Sequence, residues 1–270
     1  MRKDYISMIV FAGIVPCSPL LLPSVNPERV GLLEKTRNAM RELSEELFAA
    51  HPDTIVLFCE HTQSPADAFA MNVADPYTAS LAAFGDLGYT QTYHPDFMLA
   101  DKAQRDLRGG GVPITMITED ALPFGATVPL EFLREHLPSA RIVPIAPCGL
   151  SAKEHFDFGA ALNNTLVESP KRIAIIAAGD CSHTRSTEAP DGLHAEGKQS
   201  DDLLETLIAQ KNTAGLLQFD ATLLHEGKDG AYRQIVMLFG ALDGSPVEAR
   251  ILSHEAPLGI GQIVAELILR

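Results

Sequence analysis

The sequence predicts an α/β fold with a central, mostly parallel or mixed sheet that is flanked by helices. The first observation is a set of short apolar runs without polar alternation, a pattern typical of strands buried on both faces of a parallel sheet. These runs are residues 7–15, 54–59, 141–145 and 173–177. The second observation is that helix-like segments separate the runs. Because the chain shows no repeat, low-complexity tract or convincing linker, we expect a single domain over residues 1–270.

In the first half of the chain, turn residues follow each predicted strand. Pro16 and Pro19 convert the end of the first strand into a rigid extended segment. Asn26 and Pro27 supply an N-cap and a first-turn proline for a helix that runs to about Ala50. The other elements predicted here are a less regular region at 66–110 with a helical stretch near 100–107, a strand at 112–117, a helix at 128–137 and a helix from about 152 to 167.

The second half begins with a polar, loop-like segment at 184–197, which is long enough to cover a site. The elements predicted after it are helices near 200–210 and 213–217, a loop that carries His225, Glu226, Asp229 and Gly230, an apolar run at 235–239, an edge strand at 247–252 and a helix at 261–269.

Composition excludes several classes of function. A net charge of -14 argues against binding to nucleic acid or to an anionic membrane surface, since both need a basic patch. No apolar run approaches the length that crosses a bilayer. The 4 cysteines are widely spaced and form no CxxC pair, which favours a reducing compartment, so we expect a cytoplasmic protein. The sequence leaves a homodimer open.

Reactive side chains follow four of the predicted strands. They are Cys17, His61, Cys148 and the cluster Asp180, Cys181, Ser182 and His183. The carboxyl ends of parallel strands meet at one edge of a sheet, where ligands bind in open α/β folds. Histidine, thiolate and carboxylate groups that converge there describe a catalytic transition-metal site. Each residue also has a structural interpretation, as a helix cap or as a small buried hydrophobe.

Four stretches of the chain resemble motifs of a known family, the class III extradiol ring-cleavage dioxygenases (catalytic B subunit) and the related Memo-like proteins. They are GIVPCSPLLLP at 13–23, TIVLFCEH at 54–61 with ADAF at 66–69, GDCSH at 179–183, and LFGALDG at 238–244 with APLG at 256–259. Each motif alone is weak, but the ordered set spans nearly the whole chain.

The resemblance implies a non-haem metal enzyme that inserts O2 into a catechol-type aromatic ring and opens it. Its metal is expected to be Fe(II), with Zn(II) as the alternative. The matching positions make Cys17, His61 and Asp229 the metal ligands and His183 the catalytic acid/base. The GDCSH turn adds Asp180 and Ser182 as substrate-binding residues.

Two departures from the family pattern keep alternatives open. The family has a histidine where this chain has Cys17, and a thiolate is softer, favours Zn(II) and is prone to oxidation beside iron and O2. A catalytically degenerate, metal-poor or Zn-binding Memo-like protein with a binding or scaffold role therefore stays open. Near the final loop the family carries Glu or Cys, where Asp229 is the best acidic candidate and Glu226 and His225 are the alternatives.

Two other catalytic classes differ in how well the sequence supports them. A cysteine nucleophile, Cys17 or Cys181 paired with a histidine, also stays open. A serine hydrolase is disfavoured because the chain has no G-x-S-x-G elbow.

Overall fold

An eight-stranded mixed sheet forms the centre of the fold in the computed structural model, which describes residues 8–60, 65–133 and 139–270. The strand order in this sheet is β10-β11-β1-β9-β2-β8-β3-β6. The strands of the protein are β1 (Ile9–Val15), β2 (Thr54–Phe58), β3 (Phe69–Asn72), β4 (Tyr77–Leu81), β5 (Asp86–Tyr93), β6 (Ile114–Ile117), β7 (Ala121–Leu122), β8 (Arg141–Ala146), β9 (Ile173–Ala178), β10 (Val247–Glu255) and β11 (Gln262–Leu269).

The middle of the sheet is parallel, as the buried apolar runs predict. Strand β9 lies between β1 and β2 and pairs with both in parallel, and β2 pairs in parallel with β8. All residues of β2 and β9 are buried. The predicted α/β fold with a mixed sheet is therefore confirmed.

Helices cover both faces of the sheet. They are α1 (Glu34–Ala49), α2 (Phe97–Gly109), α3 (Phe124–Leu133), α4 (Ala152–Val167), α5 (Ala195–Ala209), α6 (Thr213–Leu217), α7 (Ala221–Gly227) and α8 (Tyr232–Ala241). Val56 and Phe58 of β2 belong to the core with α2, α4, α5 and α8, whereas Ile55 and Leu57 face the core with α1 and α3. Successive side chains point to opposite faces, which is why these strands are apolar throughout.

A second sheet of three strands, in the order β5-β4-β7, stands beside the large one. Two of its strands, β4 and β5, lie in the region that the sequence predicts to be less regular, and Gly85, at φ +93°, makes the turn between them. Strand β7 leads directly into α3. This small sheet later forms one wall of the candidate site.

The predicted helix at 261–269 is wrong, because these residues form β11. This strand pairs antiparallel with β10 on one side and with β1 on the other. Six of its eight residues are buried, so an almost unbroken apolar sequence fits an inner strand. The predicted edge strand at 247–252 is confirmed as β10 and extends to Glu255.

Several helix boundaries also differ from the predictions. Helix α1 begins at Glu34 after a short 3-10 turn, because the Asn26 side chain donates to the Leu20 carbonyl instead of capping a helix. Helix α3 begins four residues earlier than predicted, α5 begins at Ala195, and the apolar run 235–239 lies within α8. The predicted loop at His225 and Glu226 is helix α7, which Asp220 caps by accepting from Thr222 N.

Candidate functional site

The segments that follow the parallel strands meet at one edge of the sheet. Cys17 follows β1, Glu60 follows β2, and the turn from Asp180 to His183 follows β9, the strand that lies between them. Hydrogen bonds hold the turn from both sides: Gly230 N donates to the Asp180 carbonyl, and Gly261 N donates to the Ser182 carbonyl. The predicted ligand His61 lies outside the described residues.

A cavity of about 470 Å³ opens at this edge and has two chemically different walls. The wall formed by the large sheet and the start of α8 is polar and contains Cys17, Glu60, Asp180, His183 and Gln234. The wall formed by the small sheet and the start of α3 is mainly apolar and contains Ala83, Phe84, Leu122, Pro123 and Phe124. A concave site with a few convergent polar groups is the usual form of a small-molecule site.

Cys17 and Asp180 form a close pair within the polar wall. Asp180 Oδ1 accepts hydrogen bonds from the backbone N–H of Cys17 at 3.0 Å and of Ser18 at 3.2 Å. The Cys17 thiol donates to Asp180 Oδ2 at 3.8 Å. Burial raises the pKa of the thiol well above its ordinary value, and the neighbouring carboxylate raises it further. Burial likewise raises the pKa of Asp180 to about 6, although the hydrogen bonds from Cys17 and Ser18 oppose this. Without metal, Cys17 is therefore a neutral thiol.

His183 contributes a half-buried imidazole to the cavity. Its Nδ1 lies 2.8 Å from the carbonyl oxygen of Lys228, so in the neutral ring Nδ1 carries the proton and donates. This leaves Nε2 as the nitrogen that can accept a proton. The backbone N–H of His183 donates to the Gly227 carbonyl, which fixes the residue to the end of α7. An imidazole that is held through Nδ1 and leaves Nε2 free is suited to general acid/base chemistry.

Ser182 and Asp201 support this turn from behind. Asp201, at the middle of α5, accepts from both the N–H and the hydroxyl of Ser182, each at 2.9 Å. Arg185 donates to the same carboxylate at 2.7 Å. Ser182 and Asp201 are fully buried. The hydroxyl of Ser182, predicted to bind substrate, is thus already engaged and holds the turn that carries His183.

Asp229 lies beside His183 but faces an adjoining hollow. Its Oδ1 accepts from the N–H groups of Ala231 and Tyr232, which caps α8. Its Oδ2 is buried and has no hydrogen-bond partner among the described residues. Burial raises the pKa of Asp229 to about 7, and the nearby Asp201 contributes to the increase. The hollow shares Glu60, Gly230 and Gln234 with the main cavity.

A possible metal-binding group lies at this position. One ligand atom each from Cys181, Asp201 and Asp229 lies within 4.8 Å of the other two. The unpartnered Oδ2 of Asp229 suits a cation, because a buried carboxylate oxygen without a donor is costly. The Asp201 carboxylate is already shared by Ser182 and Arg185. Asp229 is therefore the donor most free to bind a metal, either in this group or together with Cys17 and His61 as the sequence predicts.

Cys148, the remaining residue of the predicted cluster, lies outside the main cavity in a neighbouring hollow. Its N–H donates to Nε2 of His155, so Nδ1 of that buried imidazole donates to the Ser151 carbonyl. This histidine is structural, and burial lowers its pKa.

Sequence reasoning did not identify the contributions of Gln234, Phe84 and Phe124 to the cavity. Gln234 is buried, and its side-chain amide donates to the Gly230 carbonyl. The sequence feature that could have indicated Gln234 is its position as a polar residue directly before the apolar run 235–239. The two phenylalanines are partly exposed and lie next to each other on the small-sheet wall, and nothing in their local sequence distinguishes them from core residues.

No helix among the residues that the structure describes is long and apolar enough to cross a membrane.

Comparisons with known proteins agree with this architecture. A protein of Clostridium acetobutylicum, CA_C1420, is 24% identical over 263 residues, which covers 94% of this chain and 56% of that protein. The chain thus spans about half the length of this curated relative. The crystal structure of the uncharacterized protein JW3007 from Escherichia coli K12 has a TM-score of 0.64 at 16% identity and covers 96% of this chain and 99% of that one.

The family model described as the catalytic LigB subunit of aromatic ring-opening dioxygenase matches residues 12–265. The match includes the second half of β1, the turn after β9 and the first half of β11. It extends across both walls of the cavity, and the chain therefore belongs to the LigB family, whose members include class III extradiol dioxygenases.

Proposed function

We propose that this protein is a metal-dependent dioxygenase that opens a catechol-type ring and incorporates both atoms of O2 into the product. The observation that carries the proposal is the polar wall of the cavity, where His183 with one free ring nitrogen lies near Asp180 and Cys17. Membership of the LigB family supports an oxygenase of this general type.

The metal would be held by Cys17, His61 and Asp229, with Fe(II) as the expected ion and Zn(II) as the alternative. The buried, unpartnered Oδ2 of Asp229 supports this role. Cys17 would lose its thiol proton on binding, and the neighbouring Asp180, with a pKa of about 6, is placed to accept it. A bound Fe(II) would supply the oxygen chemistry, which side chains cannot perform alone.

The protein's own groups would position the ring and move protons. His183 would accept a proton at Nε2 from a substrate hydroxyl and return it as the ring opens. Asp180 would contact the substrate from the same wall. Ser182 would act through Asp201 by fixing the turn that carries both residues.

The test is metal content and O2 uptake on protein reconstituted anaerobically with Fe(II) or, separately, with Zn(II). We expect about one metal per chain in the wild type and a loss of that metal in Cys17→Ala, His61→Ala and Asp229→Asn. Cys148→Ala, a buried cysteine outside the main cavity, is the matched control and should keep the metal. His183→Gln should keep the metal but lose O2 uptake with catechols.

Other outcomes separate the alternatives. Metal loss in Cys181→Ala but not in Cys17→Ala would assign the ion to the group of Cys181, Asp201 and Asp229. A second candidate function is favoured by the neutral, buried Cys17 thiol, which is a poor ligand until it loses its proton. It is a binding protein on an inherited enzyme fold, and it predicts no specific metal and no O2 uptake in the wild type.

A further inference from the structure

We infer that the cavity selects an uncharged catechol-type ring that carries an apolar substituent, and that Phe84 and Phe124 determine this preference. The inference rests on the proposed function and adds the chemical class of its substrate. It follows from the shape, the exposed aromatic surface and the charge of the cavity.

The two phenylalanines form one aromatic surface on the small-sheet wall. Their ring centroids are 5.6 Å apart and their planes meet at 81°, an edge-to-face arrangement. Phe84 lies in the turn between β4 and β5, and Phe124 is the first residue of α3. The pair therefore joins two segments that are distant in sequence into a single contact surface.

Both rings of this surface are partly exposed to solvent. Phe84 is 37% exposed and Phe124 is 45% exposed, although both line a concave site. Covering apolar area releases roughly 25 cal/mol per Å², so a ligand group seated on these rings gains affinity from each of them. An edge-to-face pair also offers a ring face and a ring edge to a planar ligand.

The volume favours a substituted ring. Sites of roughly 300–1,000 Å³ accommodate drug-sized ligands, and this cavity measures about 470 Å³. A bare ring held at the polar wall would leave the aromatic surface uncovered. A substituent that extends from the ring toward Phe84 and Phe124 would fill that space.

The charge of the cavity disfavours an anionic substituent. Among its described lining residues, the carboxyl groups are Glu60 and Asp180, and no lysine or arginine is present. Arg233 lines the two adjoining hollows instead. A carboxylate that extends toward Phe84 and Phe124 would meet a mainly apolar wall, in which Ser80 is the polar residue among the described lining residues. A negative charge placed there without a cationic partner is costly.

The test compares two catechols that differ in one substituent, 4-tert-butylcatechol and 3,4-dihydroxybenzoate. Dissociation constants are measured by anaerobic calorimetry on both metal-free and Fe(II)-loaded protein. We expect the tert-butyl compound to bind at least about tenfold more tightly in the wild type. Phe84→Ala and Phe124→Ala should each remove most of this preference. Phe97→Ala, which truncates a 55% exposed phenylalanine on α2, should leave it unchanged.

Each outcome decides the inference. Equal or tighter binding of the carboxylated compound, no detectable binding of either compound, or an unchanged preference in both cavity variants would overturn it. Because both alanine variants remove partly exposed rings, they should fold, and the wild-type comparison stands without them. Selective binding of the tert-butyl compound without O2 uptake would leave the inference intact while the proposed function failed. Tighter binding and faster turnover of the carboxylated compound would support the proposed function and overturn the inference.

Discussion

The Cys17 thiol donates to the Asp180 carboxylate across 3.8 Å, and the same carboxylate accepts the backbone N–H of Cys17. This pair links the loop after β1 to the turn after β9. Burial raises the pKa of the cysteine thiol, and the negative charge of Asp180 beside it raises this pKa further.

Replacement of Asp180 by Asn should make Cys17 more reactive. Asparagine retains the oxygen that accepts from Cys17 and Ser18 but removes the charge, so the pKa of the thiol should fall. We expect alkylation of Cys17 by iodoacetamide at pH 8, followed by mass spectrometry on metal-free protein, to become severalfold faster. Cys148 is an internal control, because it lies in a neighbouring hollow that Asp180 does not line. An unchanged or slower rate at Cys17 would show that the charge of Asp180 does not limit the reactivity of the thiol.

Asp201 should be among the most sensitive positions for stability. Its removal leaves Arg185 without a charge partner and leaves Ser182 without an acceptor, so Asp201→Ala should cost about 3–5 kcal/mol in the free energy of unfolding. The neighbouring Asp202 pairs with Lys198 in an exposed position, and Asp202→Ala should change stability by less than about 0.5 kcal/mol. Urea unfolding measures the free energy of unfolding of both variants. Similar decreases in the two variants would contradict a stabilising role of the buried Asp201 carboxylate.

Gly179→Ala should separate the turn after β9 from the start of α8. A Cβ at this position would lie 2.6 Å from the Gly230 carbonyl oxygen and 2.8 Å from the Ala231 Cα, and backbone atoms cannot move away as side chains do. We expect a loss of about 1–3 kcal/mol or more in thermal or urea unfolding, with reduced metal binding. Gly31→Ala is the matched control, since its Cβ would have no neighbour within 4 Å. Wild-type stability of Gly179→Ala would mean that this contact is looser than the structure shows.

The raised pKa of Asp229 gives a pH dependence with a defined sign. Its pKa is about 7 in the folded metal-free protein and near 3.8 when unfolded, so between pH 4 and pH 7 the folded state binds more protons. The contribution of Asp229 to stability therefore falls as pH rises through this window. Asp229→Asn removes that loss. Between pH 4 and pH 8, its free energy of unfolding should therefore rise relative to that of the wild type by on the order of 2 kcal/mol, a figure that is reduced because the Asp229 side chain is partly exposed.

The measurement is the melting temperature of metal-free wild type and Asp229→Asn at several pH values in the presence of a chelator. Asp220→Asn, an exposed helix cap on α7, is the control for a general effect of removing one negative charge. A difference in melting temperature between Asp229→Asn and wild type that stays constant across the pH range would contradict a raised pKa of Asp229.

The parallel centre of the fold could be predicted because its strands are buried on both faces and leave an apolar signature. The grouping of Cys17 with Asp180 and His183 followed from topology, since all three come directly after adjacent parallel strands. The resemblance of the GDCSH turn to a known motif added His183 as a specific candidate.

The rest depended on contacts between distant parts of the chain. Residues 261–269 carry no periodicity that separates a strand from a helix, and pairing with β1 and β10 decided the outcome. The orientation of Asp229 toward an adjoining hollow depends on its two hydrogen bonds to the start of α8. The exposure of Phe84 and Phe124 depends on where the small sheet stands, which no local pattern encodes.

The two walls of the cavity come from different stretches of the chain. The polar wall is built from turns after the parallel strands, and the apolar wall from residues 80–84 and 122–125. A gene library confined to those nine codons would therefore vary the apolar wall while Cys17, Asp180 and His183 of the polar wall stay unchanged. The same separation would allow related proteins to change the apolar wall of the cavity without altering the polar side chains opposite it.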